Sequence, residues 1–261
     1  MESSSCIISV MTLNVWVSNG TPVYWPEREE PIKLLMDTFQ PDILTIQESH
    51  PTILNALIDN TSFHFIQNAD NGIDWDYPIN ILWNSSKFDL LEKRIIHLSP
   101  STEDSDNLPY KSLALMIKLI HKSSLQEFYI CTTHLPWCGC EEEVESGFNV
   151  RIPLLKELLR ECEKIEDPLI LTGDFNEDFH PLRILEQSKD EEEDGGGGSC
   201  LVNCFAQLRV PPPITHPCRP SSQREEERVR NNNKINECSG IIINLLWILF
   251  IYKLYCKFLF F

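Results

Sequence analysis

The chain has 261 residues, 42% of them apolar, and a formal charge of −17. That length and apolar share suit one large domain with a real core, and they exclude a chain too polar to fold. An acidic chain does not attract polyanions by its overall field, so a nucleic-acid substrate would need a bound cation or a local basic patch.

The ten cysteines are accompanied by no recognisable leader. Met1 to Cys6 carries neither a basic stretch nor a long apolar one, which points to reduced thiols and a cytoplasmic or nuclear setting. Cys138 with Cys140, and Cys200 with Cys204, His216 and Cys218, lack the paired spacing of a zinc module. They read as small buried thiols and a few exposed ones.

In chain order, Ile7 to Trp16 is apolar and β-branched and predicts a strand buried on both faces, with Asn14 near its end. Pro26 to Phe39 predicts a helix whose apolar face is Ile32, Leu35, Met36 and Phe39. Pro41 to Glu48 is a second buried strand that ends in Gln47 and Glu48. A short helix near Pro51 to Asp59 and a strand near Phe63 to Ile66 come next. Asn68 to Tyr77 is a polar turn region. Ile79 to Trp83, Arg94 to Leu98 and Leu113 to His121 are strands, with an acidic, Ser-rich surface loop over Ser99 to Asn107. Glu127 to Leu135 is a buried strand that delivers His134 at its end. Glu141 to Glu145 is an acidic run and reads as a solvated loop. Val150 to Lys164 is the clearest amphipathic helix. Leu154, Leu155, Leu158, Leu159 and Cys162 line one side, and Arg151, Lys156, Glu157 and Arg160 lie elsewhere.

That helix leads into Pro168 to Leu171, a buried strand that stops at Gly173 and presents Asp174 and Asn176. Asp174 can take a proton from water, and Asn176 can donate to an anionic oxygen without adding charge. Gly-Asp-x-Asn is also ordinary turn chemistry, and on its own that reading competes. Glu48, at a strand end beside a polar residue, suits a hard metal ion, though an exposed loop acid is on its own the commoner reading. A second helix, His180 to Gln187, is predicted after the Asp174 stretch. Lys189 to Ser199 joins an acidic run to four glycines, and 188–199 reads as a flexible surface insertion. Trp25, Trp75, Tyr77 and Trp137 fall in rim loops, where they could stack on a base, meet lipid or simply pack.

The order of strand with Asn14, strand with Gln47 and Glu48, strand with Thr133, His134 and Leu135, helix, then strand with Gly173, Asp174, Phe175 and Asn176 resembles the endonuclease/exonuclease/phosphatase (DNase I-like) superfamily. The likeness runs from about Ser9 to about Arg230, within a domain assigned to 1–230. It implies a four-layer α/β/β/α sandwich with the site at one end. It also implies an Mg²⁺-dependent phosphoester hydrolase, with Mn²⁺ as a substitute ion. Glu48 would ligate the metal with Asn14 beside it, Asp174 would orient or deprotonate water, and Asn176 and His134 would hold the phosphate oxygens. The substrates implied are nucleic acid, a nucleotide or a phospholipid headgroup.

The resemblance also implies a closing strand with an Asp and a later Ser-Asp-His segment. No Asp occurs after Asp194 and no His after His216. Residues 231–261 are instead Asn, Lys and large apolar residues. Ile241 to Tyr252 is apolar but for Asn244, and Lys253 and Lys257 interrupt the rest of the tail. One reading is a membrane anchor through 240–261, short of a full span unless the lysines snorkel. The other, which the composition favours, is translated non-coding sequence at a misplaced gene end. If the chain is real as written, the C-terminal strands are expected to be incomplete, a sheet edge bare, and the chain a degenerate or poorly active relative.

Overall fold

Three apolar seams separate four layers of secondary structure in this computed structural model. It describes residues 8–15, 25–59, 61–66, 79–98, 112–177, 181, 184, 201–203 and 250–252. The predicted loops over Asn68 to Tyr77 and Ser99 to Asn107, the insertion at 188–199 and most of 231–261 lie outside these residues. So does the predicted helix His180 to Gln187, except for Pro181 and Ile184, which are helical.

The chain runs β1 (Val10–Asn14), α1 (Trp25–Phe39), β2 (Ile43–Gln47), α2 (Pro51–Ile58), β3 (Phe63–Phe65), β4 (Ile79–Asn84), β5 (Phe88–Leu98), β6 (Ser112–His121) and β7 (Glu127–His134). It continues through α3 (Glu141–Ser146), α4 (Arg151–Glu163), β8 (Leu169–Asp174), β9 (Val202–Asn203) and β10 (Phe250–Tyr252). One sheet has the order β1-β2-β4-β3 and the other β5-β6-β7-β8-β10-β9. β1 pairs parallel with β2, and β7 parallel with β8. Both parallel pairs are joined by helical crossovers, through α1 in the first and through α3 and α4 in the second, as parallel connections usually are.

Strand alternation assigns each side chain to a seam. Met11, Leu13, Leu44 and Ile46 face α1 and α2, where they meet Ile32, Met36, Ile53 and Leu54. Val10, Ile43, Ile81 and Trp83 face the second sheet, against Phe88, Ile117, Phe128, Ile130 and Ile170. Cys131, Leu169 and Leu171 turn outward under Leu154, Leu155 and Leu158 of α4. The four-layer sandwich implied by the family resemblance is therefore the architecture observed.

Four expectations need correction. β5 begins at Phe88 rather than Arg94, because a register shift at Leu90 and Glu92 breaks the alternation that marks a strand in sequence. The acidic run from Glu141 is the short helix α3, ended by Gly147 in the left-handed conformation at φ 69°. β8 does not stop at Gly173; it continues through Asp174. Trp25 lies in α1 rather than a rim loop, and of its alternatives it packs, buried with Val15, Ile32 and Met36. Trp137 is half-exposed, and Trp75 and Tyr77 lie outside the described residues.

The edge of β8 is not bare along its whole length. Phe250, Ile251 and Tyr252 pair antiparallel with Leu171, Ile170 and Leu169, and β9 pairs beyond them. These added strands are short, and their pairing with β8 ends before Thr172, Gly173 and Asp174. Among the described residues no helix is long and apolar enough to cross a membrane.

Candidate active site

The strands that meet at one end of the sandwich share a pattern. β1 reads Val10-x-Thr12-x-Asn14, β2 reads Ile43-x-Thr45-x-Gln47, β7 ends Ile130-x-Thr132-x-His134, and β8 reads Ile170-x-Thr172-x-Asp174. Each steps from an aliphatic residue through a threonine to a polar group on the face between the sheets. Registration aligns them, with Thr12 opposite Thr45 and Asn14 opposite Gln47. In the other sheet Thr132 lies opposite Thr172 and His134 opposite Asp174. The inter-sheet seam thus passes from oil to hydroxyls to chemistry over two turns of the pleat.

The hydroxyl layer is buried and satisfied. Thr172 Oγ1 lies 3.0 Å from Thr45 Oγ1 and 3.1 Å from the Cys131 carbonyl. Gln47 Nε2 donates to Thr12 Oγ1 at 3.1 Å and to Thr132 Oγ1 at 3.0 Å. Such a layer fixes one sheet against the other, because each polar atom taken from water must keep its partner.

Above it the predicted residues converge. The amide Nδ2 of Asn14 donates to Glu48 Oε1 at 2.9 Å and to Asp174 Oδ2 at 2.9 Å. One nitrogen thus draws together carboxylates from two sheets. His134 Nε2 stands 3.9 Å from Glu48 Oε1 and 3.8 Å from Asp174 Oδ2. Asp174 Oδ1 accepts the backbone N–H of Asn176 at 2.9 Å. Asn176 Nδ2 donates to the Leu135 carbonyl at 2.7 Å and lies 3.1 Å from His134 Nε2. All five residues named from the sequence, Asn14, Glu48, His134, Asp174 and Asn176, fall in one cluster.

Backbone geometry explains how they reach it. Glu48 and Asn176 take positive φ, at 55° and 52°, a conformation uncommon in non-glycine residues and better tolerated by Asn than by Glu. Gly173 sits at φ 148°, and a Cβ there would lie 2.4 Å from the Thr133 carbonyl oxygen. Only glycine lets β8 approach β7 closely enough to set His134 beside Asp174.

The donor set suits a hard cation. Two carboxylates meet with only a neutral amide and an imidazole between them, and Glu48 keeps 23% of its side chain exposed against 8% for Asp174. Among the described residues no cluster of three His, Cys, Asp or Glu forms a ready-made metal cage. A cation here would take Glu48 and complete its shell with water and substrate oxygens, which is how Mg²⁺ is commonly held.

Arg151 escaped the sequence reading. Helical periodicity places it off the apolar side of α4, yet it is 2% exposed. Its guanidinium binds Glu143 and Glu177. Glu177 directly follows Asn176, and an acidic residue adjoining a site stretch would have been the only sequence signal. Cys131, Cys138, Cys140 and Cys162 form no disulfide.

No protein-family model matches the chain, and no curated protein matches it in sequence. Solved structures do share its fold. The catalytic domain of human Nocturnin with a bound sulfate anion is 22% identical, covering 79% of this chain and 76% of that one, with a TM-score of 0.58. The endonuclease/exonuclease/phosphatase from Bacteroides vulgatus is 18% identical over 69% of this chain and 70% of that one, with a TM-score of 0.55. A mannosyl-6-phosphatase from Bacteroides thetaiotaomicron is 19% identical over 78% and 74%, with a TM-score of 0.55. At these identities the likeness is one of fold, the DNase I-like sandwich of two sheets between helices.

Proposed function

We propose that this chain is a phosphoester hydrolase that works with Mg²⁺. The observation that carries the reading is the junction at Asn14. Its single amide nitrogen holds Glu48 and Asp174 at 2.9 Å each, with His134 and Asn176 alongside. The fold shared with a phosphatase and with a domain holding a sulfate anion supports it.

Bound at Glu48, with Asn14 beside it, Mg²⁺ would supply Lewis-acid neutralisation of charge on the phosphoryl group. The protein's own groups divide the remaining work. Asp174 accepts bonds from Asn14 and from the Asn176 backbone, which fix its carboxylate in orientation and leave lone pairs to take a proton from water. Asn176 Nδ2 is already engaged by Leu135 and His134, so it meets a phosphate oxygen by exchanging the His134 contact. His134, 18% exposed, is placed to hold the same phosphoryl group.

Hydrolysis of bis-p-nitrophenyl phosphate by the full chain, with and without Mg²⁺, tests this. Activity that needs the ion and is lost in Asp174→Ala supports the proposal. A folded protein with no Mg²⁺-dependent turnover would overturn it. That outcome would favour the alternative reading, a catalytically degenerate member acting as a binding or membrane-tethered protein.

A further inference from the structure

The ends of β7 and β8, with the residues that follow them, are laced together on the site side by Asn176 Nδ2 to the Leu135 carbonyl and by Leu135 N–H to the Asp174 carbonyl, at 2.9 Å. A buried cation fastens them on the other side. Arg151 Nε donates to Glu177 Oε2 at 2.9 Å. Its Nη2 donates to Glu143 Oε1 at 2.8 Å, and its Nη1 to Glu143 Oε2 at 3.2 Å and to the Pro136 carbonyl at 3.3 Å. Asn149 closes the arrangement. Its Nδ2 donates to Glu177 Oε2 at 3.0 Å, while its Oδ1 accepts the N–H groups of Arg151 and Ile152 that open α4.

A guanidinium is a rigid planar fork, so each of these bonds constrains direction as well as distance. Stability alone does not call for it, since an ion pair with this little exposure is commonly replaceable by apolar packing. What the fork adds is placement. Glu177 is one residue from Asn176, and Pro136 is two from His134. Asn176 also holds a positive φ of 52°, which asparagine tolerates and which the Asp174 Oδ1 bond to its N–H supports locally, so the Glu177 anchor acts on where this turn sits.

We infer that Arg151 is a positioning residue that sets Asn176 and His134 in the site through Glu177 and the Pro136 carbonyl. Its effect on turnover rests on the phosphoesterase reading; its effect on Asn176 does not.

The test uses Arg151→Lys and Glu177→Gln in the full chain. Glu177→Gln keeps size and a neutral acceptor, so it carries the test alone if Arg151→Lys does not fold. Two quantities are read: the side-chain amide resonances of Asn176 by ¹H–¹⁵N NMR, and hydrolysis of bis-p-nitrophenyl phosphate with Mg²⁺. The expected result is movement of the Asn176 amide resonances while β1 and β2 resonances stay in place. With it kcat falls about 10-fold and KM changes less than about twofold, as slight misplacement of a site predicts. Asn176 resonances unmoved in a folded Glu177→Gln would overturn the inference. If the wild type itself hydrolyses nothing but the resonances move, the phosphoesterase reading fails and the positioning role stands.

Discussion

Gln47 of β2 reaches across the sandwich and donates to the hydroxyl of Thr132 in β7 at 3.0 Å. Gln47 is 1% exposed and Thr132 wholly buried. The bond is therefore a direct polar tie between the sheet that supplies Asn14 and Glu48 and the sheet that supplies His134 and Asp174. Thr132→Val keeps shape and removes the acceptor, leaving a buried amide proton short of a partner. The expected loss is about 1–3 kcal/mol in urea unfolding, while Thr132→Ser, which keeps the hydroxyl, loses far less. Equal stability of the Val and Ser variants would show that the tie is replaceable.

Gly173→Ala is the substitution the site is least able to absorb. The added Cβ would meet the Thr133 carbonyl oxygen at 2.4 Å and its nitrogen at 3.0 Å. Both are strand backbone, which cannot step aside without breaking the pairing of Thr133 with Gly173. The cost is expected to be about 3 kcal/mol or more, read as a lower urea midpoint. A fully stable Ala variant with wild-type turnover would mean that β7 and β8 tolerate a wider spacing.

Strands such as Ile43 to Gln47 and Glu127 to His134 were legible because they are buried on both faces, while the four-layer arrangement came from the resemblance carried by the order of the motifs. The site was legible because polar groups at the ends of such runs are conspicuous. What sequence reading missed is the repeated aliphatic-x-Thr-x-polar pattern of β1, β2, β7 and β8. Threonine is at home in any strand, so nothing local marks Thr45 and Thr172 as meeting across two sheets. Arg151 was missed for a related reason. Helical period separates apolar from polar positions, but it cannot show that Glu143 and Glu177, from other segments, will pair a charge well enough to bury it. β5 lost its first half because an irregularity at Leu90 and Glu92 defeats period-two counting.

Glu48 and Asp174 share a donor but differ in exposure, and the proposed division of labour makes their variants differ in kind. Glu48→Gln is expected to raise the Mg²⁺ concentration for half-maximal turnover at least about 10-fold while sparing much of kcat at saturating ion. Asp174→Asn is expected to lower kcat by about 10² or more at any ion concentration. Titration of activity against Mg²⁺ separates the two. If both variants shift the ion requirement and neither lowers the plateau, Asp174 serves the metal rather than the water.

The Arg151 cluster also sets how stability responds to acid. Burial raises the carboxyl pKa of Glu143. The Gly139 N–H, the Arg151 guanidinium and the Cys138 thiol lower it by more, so the group ends below its ordinary 4.5. Burial acts on Arg151 in the opposite sense and lowers its pKa, but its bonds to Glu143 and Glu177 together outweigh that and hold it above its ordinary value. Since Glu143 binds its proton more weakly in the folded chain than in the unfolded one, the stability it confers is complete above its unfolded pKa. That stability is lost as pH falls through the lower folded value. Glu143→Gln removes the charge and leaves Arg151 relying on Glu177, at a cost of up to about 3 kcal/mol at neutral pH. The stability gap between wild type and variant should stay constant from about pH 7 to about pH 5 and narrow below that as the wild-type carboxylate protonates. Urea unfolding of both proteins across that range measures it. A gap that persists unchanged at about pH 3, well under the ordinary carboxylate value, would show that Glu143 holds this corner by shape and hydrogen bonding rather than by its charge.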